Sequence, residues 1–403
     1  MTGWIILFAV SFGLALYTFL VYPALLWLIV RIKKPLSQTT PIDRVAGAAT
    51  APPLKVSIVV AAYNEQETIS ATLKSLLAQD YPRDLREIVV FSDGSTDTTD
   101  EIVKQFAPHG VRLIRFEGRI GKTECQNRVV ERLTGDVVVF SDSNVRWQRD
   151  AVRILVQPFT DRQVACTTGA LHLVKPLPQP VTQQDGPQLE RVDEGLFRRL
   201  DHAIKRGESA LLSTIGVNGP MYAVRRSEYV RLQAHLVSDL VLPVLIAARG
   251  RRVVYVPEAI GFEPASRSVW FEFHRKRRLV TQGWVALPLL FRAADPIKRP
   301  ALSALLISHK VLRWLGIELL ALSFIATLVL AALGQPWFIL ALAVELAALI
   351  TAGLGLLFSD DQRGESPLLA ALSFFVLTNI AGLVGTIDYF RGKTATRWTT
   401  LRT

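Results

Sequence analysis

Three short polar clusters carry most of the chemistry this sequence can do: Tyr63-Asn64-Glu65, Ser92 through Asp97 (SDGSTD), and Ser141 through Asn144 (SDSN). Each directly follows a short apolar run of strand character. Each supplies a carboxylate, and between them they hold one glycine. Carboxylates gathered at strand ends suit a hard divalent cation held through oxygen, with diphosphate as co-ligand. Phosphate sites built on glycine-rich loops fit less well. A dinucleotide fingerprint needs G-x-G-x-x-G after the first strand, and that junction has no glycine. A P-loop needs G-x-x-x-x-G-K-[ST]; Gly121-Lys122-Thr123 supplies its end, but Phe116 stands where its first glycine belongs. Taken singly, Asp93 reads equally well as a helix-start or turn residue, and Asp142 can also be read as a turn residue. Their convergence is what points to a site.

That convergence depends on the elements around the clusters. Val56–Ala61, Glu87–Phe91, Val111–Arg115 and Asp136–Phe140 read as strands. Helical patterns begin near Glu67, at Thr98 and at Lys122. Alternation of this kind implies an α/β domain with a mostly parallel sheet. Ligands of such sheets bind beyond the carboxyl ends of the strands, where all three clusters lie.

The chain has 403 residues, half of them hydrophobic, and a formal net charge of +11. Two cysteines exclude a disulfide scaffold and a Cys-rich zinc module. Cys125 and Cys166 read as buried, and the six histidines show no ligand spacing. Trp4–Val30 lacks any charge and is followed at once by Arg31, Lys33 and Lys34. A secretory signal has its basic residues first, so residues 1–34 read as an uncleaved span with a cytoplasmic basic end. Trp314–Leu333, Phe338–Phe358 and Leu368–Phe390 are further apolar segments of spanning length. Four full crossings would leave the C-terminus outside, whereas Arg391, Lys393, Arg397 and Arg402 favour the cytoplasm. The last segment, with Asn379 and Asp388, is the candidate for an interfacial or re-entrant one. Glu318 and Glu345 lie inside apolar segments, where charge is costly.

Residues 35–53 are Pro-, Ala- and Thr-rich and read as a linker. Residues 54–266 have soluble-domain composition and, following the basic end of the first span, read as a cytoplasmic domain. Residues 267–310 alternate aromatic with basic residues, as amphipathic helices on an anionic membrane surface do. Residues 311–403 hold the C-terminal spans and a basic tail. The positive charge is therefore explained by membrane lipid and needs no nucleic acid.

In order along the chain, VAAYNE at 60–65, FSDGSTD at 91–97, GRIGKTECQN at 118–127, FSDSN at 140–144, GVNGPMYAVRR at 216–226, and SDLVLP at 238–243 with GRRVVYVPEA at 250–259 resemble the motif series of family 2 glycosyltransferases. The membrane-bound subgroup resembling cellulose, hyaluronan and poly-N-acetylglucosamine synthases is the nearest in pattern. The resemblance implies a glycosyltransferase A-type nucleotide-binding domain flanked by transmembrane and interfacial helices in the plasma (inner) membrane. It implies inverting transfer from a nucleotide sugar, UDP-linked in most of that subgroup, to a polysaccharide or lipid-linked acceptor. By the same resemblance Tyr63 and Asp93 hold base and ribose, Glu65 supports that pocket, and Lys122 faces the diphosphate. Asp142 binds Mg²⁺ or Mn²⁺ with Asn144 beside it, Asp239 is the general base, and Arg275 and Arg278 approach the diphosphate from the membrane side. Partner subunits of a polysaccharide export system also fit the subgroup.

Three departures stand out. Asn144 replaces a second metal carboxylate. Ser238 stands where an acidic residue commonly precedes the base. Finally, the HRKRRL stretch at 274–279 lacks the Arg-Trp pair of processive members, the nearest tryptophan being Trp284. Single sugar addition is thus as compatible as polymerisation. A catalytically inactive membrane scaffold or partner subunit is the alternative that Asn144 and Ser238 favour.

Overall fold

The computed structural model describes residues 1–32, 54–174, 195–265, 269–358 and 367–393. The linker assigned to 35–53, and Arg397 and Arg402 of the tail, lie outside the described residues. Eight strands form one sheet: β1 (Val56–Ala62), β2 (Arg86–Asp93), β3 (Val111–Phe116), β4 (Val137–Asp142), β5 (Arg146–Trp147), β6 (Val164–Val174), β7 (Met221–Arg225) and β8 (Arg252–Pro264). Their order is β3-β2-β1-β4-β7-β6-β8-β5. β3, β2, β1 and β4 run parallel; β7 is antiparallel to both β4 and β6. The expected mostly parallel α/β sheet is present. The two-residue β5 and the antiparallel β7 have little sequence signature of their own.

Both faces of the sheet are covered, so the central strands are apolar on both sides and read as continuous runs instead of alternating ones. Val56, Ile58 and Val60 pack with Ile69, Leu73 and Leu76 of the helix Ile69–Leu77. Val59, Val89, Phe91, Val138 and Phe140 face the other way, into a core that includes Tyr22 and Leu26 of the N-terminal apolar helix. The membrane anchor is thus packed onto the domain. Gly207 permits this closeness, since a Cβ there would lie 2.6 Å from that of Leu26.

Among the described residues, three helices are long and apolar enough to cross a membrane: Thr2–Ile32, Pro336–Leu354 and Leu372–Phe390. The helices Pro300–Trp314 and Gly316–Ala332 meet at a 64° bend and together form a broken span or re-entrant loop. These features support a multi-pass membrane protein. The sequence singles out the last apolar segment as the irregular one. The structure puts the break at Leu315 instead, and the last segment is a continuous helix. Its Asp388 is paired with Arg277. The polar residue that weakened the segment's hydropathy is a docking contact.

That contact belongs to a seam between Val269–Ala294 and the last helix. Thr281 donates to the Gly385 carbonyl at 2.9 Å, and Trp284 Nε1 donates to Thr386 at 2.9 Å. Glu345 reaches Thr327 on the neighbouring helix at 3.3 Å, so it is paired between helices.

Candidate active site

Strand register sets the site. Ala61 of β1 lies opposite Phe91 of β2 and Asp142 of β4, and Ala62 lies opposite Ser92. Tyr63 and Asp93 therefore leave the sheet at one level, two residues beyond Asp142.

The loops beyond the strands lock together. Asn64 adopts φ 51°, a left-handed conformation that asparagine tolerates better than most residues. Its Oδ1 accepts from the Thr96 amide at 2.8 Å, which ties the β1 loop to the β2 loop. The Glu65 amide donates to Thr99 Oγ1 at 2.7 Å, and Glu65 Oε2 accepts from Thr68 at 2.9 Å. Glu65 is buried and braces the loop. Gly94, at φ 71°, stacks on Gly118, where a Cβ would come within 2.8 Å of the carbonyl oxygen.

Asp93 is completely buried and accepts from the amides of Ile120 at 2.8 Å and Gly121 at 3.1 Å. It occupies the N-terminal end of the helix Lys122–Val130, the place a phosphate takes in a P-loop. Its carboxylate as found braces that turn. Tyr63 is the half-buried member of the pair, and the Arg119 guanidinium lies 3.5 Å over its ring. Arg119 was within the GRIGKTECQN segment but carried no distinguishing signal there.

The rest of that segment works through its side chains. Lys122 forms an ion pair with Asp142. Thr123 Oγ1 donates to the Leu236 carbonyl at 2.6 Å, and Asn127 Nδ2 donates to that of Leu232 at 2.7 Å. One helix face thus holds both the β4 carboxylate and the chain that leads into Ser238–Ala248. Asp239 lies in the first turn of that helix, whose cap position is Val237. Among the described residues its carboxylate makes no hydrogen bond, so it is not consumed as a cap. Gly219 lies against it: a Cβ there would stand 3.1 Å from Asp239 Cγ and closer still to Oδ2. Burial raises the Asp239 carboxyl above its ordinary range and Asp142 pushes the same way, while Lys122, Lys310 and Arg278 oppose.

The two arginines divide. Arg275 faces Glu272, one turn back on its own helix, at 3.4 Å. Arg278 is within electrostatic reach of Asp239 and Asp142, and makes no hydrogen bond or ion pair among the described residues. Lys310, which the sequence did not single out, is also within electrostatic reach of Asp239.

No group of three or more His, Cys, Asp or Glu side chains suited to a metal ion occurs among the described residues. The donors near Asp142 are the carboxylate itself and the partly exposed Asn144 amide. A magnesium-like ion needs only one or two carboxylates when phosphate oxygens complete its shell. The Lys122 ammonium already sits on Asp142 as a stand-in cation. The residues fit a metal that arrives with diphosphate. Both thiols are buried, and burial raises their pKa, which makes them poor nucleophiles.

Residues 57–230 match the family model described as Glycosyl transferase family 2. The protein carries a family 2 glycosyltransferase domain. This domain is 31% identical over 105 residues to poly-beta-1,6-N-acetyl-D-glucosamine synthase of Staphylococcus epidermidis, covering 26% of this chain and 25% of that one. The enzyme of the same name from Staphylococcus aureus (strain COL) is 23% identical over 211 residues, 51% of this chain and 48% of that one. The chain thus spans half or less of these relatives. Among solved structures, the mannosyltransferase PcManGT from Pyrobaculum calidifontis, in complex with GDP-Man and Mn²⁺, superposes with a TM-score of 0.68. The superposition covers 96% of this chain and 99% of that one at 21% identity, and it establishes the shared fold of the glycosyltransferase domain and its flanking helices.

Proposed function

We propose that this protein is a membrane-anchored, inverting, metal-dependent glycosyltransferase that moves a sugar from a nucleotide sugar to a glycan or lipid-linked acceptor at the cytoplasmic face. The observation that carries the reading is the Lys122–Asp142 ion pair at the carboxyl edge of the sheet, with Arg278 and Asp239, whose carboxylate makes no hydrogen bond among the described residues, within electrostatic reach.

Departure of a nucleoside diphosphate builds negative charge on the leaving phosphates. Lys122 and Arg278 are the side chains that stabilise it, in a partly dry site where such interactions are strong. Asp142, with Asn144, would hold Mg²⁺ or Mn²⁺, which supplies further neutralisation of the diphosphate. Tyr63 and Arg119 would bracket the base, while Asp93 and Glu65 keep the loops in shape. Asp239 takes the proton of the acceptor hydroxyl as its oxygen attacks the anomeric carbon. Its raised pKa makes it a stronger base than an exposed aspartate. One in-line displacement inverts the anomeric centre and needs no protein nucleophile. Uridine is the nucleotide implied by the motif resemblance, and partner subunits for polymer export belong to the same reading.

The test is a donor screen on protein in nanodiscs, with membrane lipid extract as acceptor. Release of nucleoside diphosphate from UDP- and GDP-sugars is followed with Mg²⁺, Mn²⁺ or chelator. Release from one donor, lost with chelator and in Asp239→Asn and Asp142→Ala, is expected. Metal-independent release, or Asp239→Asn at the wild-type rate, would remove the corresponding assignment. Absence of both release and nucleotide binding would leave the inactive scaffold.

A further inference from the structure

Lys310 belongs to none of the sequence motifs. It lies on a π-helical turn, Ile307–Val311, between Pro300–Leu306 and Leu312–Trp314. Such turns redirect side chains and recur at functional sites. This one is fixed from outside. Ser308 bonds Tyr17 OH at 2.8 Å, and Tyr17 itself opens a π-turn in the N-terminal helix. His309 Nδ1 bonds the fully buried Glu208 at 2.7 Å, and Arg313 lies 3.9 Å from Asp201.

Held this way, Lys310 leaves the helix toward the loop that supports the candidate base. A Cβ on Gly216 would meet its Nζ at 2.8 Å. Three residues on, Gly219 lies against the Asp239 carboxylate, and the Val217 amide donates to the Asp239 carbonyl at 3.2 Å. The neighbouring Asn218 is occupied: Lys205 donates to its Oδ1, and its Nδ2 donates to the Gly169 carbonyl at 2.6 Å. Lys310, only partly exposed, makes no hydrogen bond or ion pair among the described residues. Asp201 and Glu208 lie within electrostatic reach of Lys310. Both are engaged elsewhere, Asp201 by Lys205 and Arg313 and Glu208 by Tyr22, His309 and the Ile215 amide, so the three donors of the ammonium are open to a further anion.

Building on the transferase reading, we infer that Lys310 binds a phosphate oxyanion of the substrates on the membrane-proximal side of Asp239. That oxyanion belongs either to the departing diphosphate or to a phosphate monoester on a lipid-borne acceptor. Lys310 thereby acts as the counterpart of Arg278, entering from the broken span as Arg278 enters from the preceding helix.

The test compares wild type, Lys310→Met and Lys310→Arg in nanodiscs, with binding of UDP, GDP and farnesyl phosphate measured by calorimetry. Lys310→Met is expected to weaken one probe about tenfold or more, the scale of one lost charged contact, with Lys310→Arg retaining most of the affinity. Weakening of a nucleoside diphosphate assigns the lysine to the leaving group; weakening of farnesyl phosphate alone assigns it to the acceptor. If the methionine variant does not fold, Lys310→Gln replaces it. Affinities unchanged for every probe that wild type binds would overturn the assignment. Wild type that binds none of the three would instead sink the transferase reading itself.

Discussion

Gly219→Ala isolates the geometry of the candidate base with a single methyl group. Gly219 does not use a positive φ, so alanine suits its backbone and the effect is steric. The added Cβ would stand 3.1 Å from Asp239 Cγ and 3.4 Å from its Cβ, with Oδ2 nearer than either. Ordinary carbon contacts are about 3.5–4.0 Å. The carboxylate or the loop must therefore retreat by roughly 1 Å, the displacement that costs on the order of a hundredfold in rate when a reacting group is misplaced. The three atoms nearest the methyl group all belong to Asp239, so diphosphate affinity should change by less than about twofold. The assay is steady-state release of nucleoside diphosphate in nanodiscs with the preferred donor, paired with calorimetry of nucleotide binding. A folded variant with kcat within threefold of wild type would refute the close placement of Gly219 on a working base. An equal loss in nucleotide affinity would show that the loop serves the donor instead.

Because burial and Asp142 raise the Asp239 carboxyl, the acid limb of the transfer rate should lie at higher pH than an exposed aspartate would give; a limb in the ordinary aspartate range counts against it as base. The stability linkage has the opposite sign to that of a salt-bridged carboxylate. The folded state binds this proton more tightly than the unfolded one, so stability falls as pH rises through the raised pKa. Asp239→Asn should therefore melt above wild type at pH 7–8 while inactive, with the gain shrinking as pH falls; a lower melting point at neutral pH would contradict this. Glu208 accepts from Tyr22 OH at 2.8 Å, His309 at 2.7 Å and the Ile215 amide at 3.1 Å. Glu208→Ala strands those donors and should cost about 3–5 kcal/mol in unfolding measurements, whereas a loss below about 1 kcal/mol would mean the network is not formed.

Much of the scaffold is written locally. The apolar runs at 56–62, 86–93, 111–116 and 137–142 are continuous because both faces of those strands are buried, and their polar ends mark the ligand edge. Long uncharged stretches announced the membrane helices for an equally local reason, since hydropathy is a sum over neighbouring residues. The order of the motifs, with Asp142 and Asp239 in them, was legible in the same way.

What each residue touches was settled only by packing across long separations. Asp93 reads as a ligand in its motif, yet its carboxylate is directed at the amides of Ile120 and Gly121, 27 and 28 residues away. Asp388 reads as a defect in a span, yet it docks on Arg277 across 111 residues. Arg275 and Arg278 read alike in one basic stretch and share nearly one helix face, but they sit about 4.5 Å apart along the axis. Arg275 is paired with Glu272 a turn back, and Arg278 lies within electrostatic reach of Asp239 and Asp142. Lys310 carried no signal at all. Its direction comes from a π-turn held by Tyr17 and Glu208, residues 291 and 101 positions from the partners they hold. Composition and period fix which segments become strands, helices and spans. Contacts between segments distant in the chain have no local pattern, and those contacts decide which of several similar charges faces the candidate site.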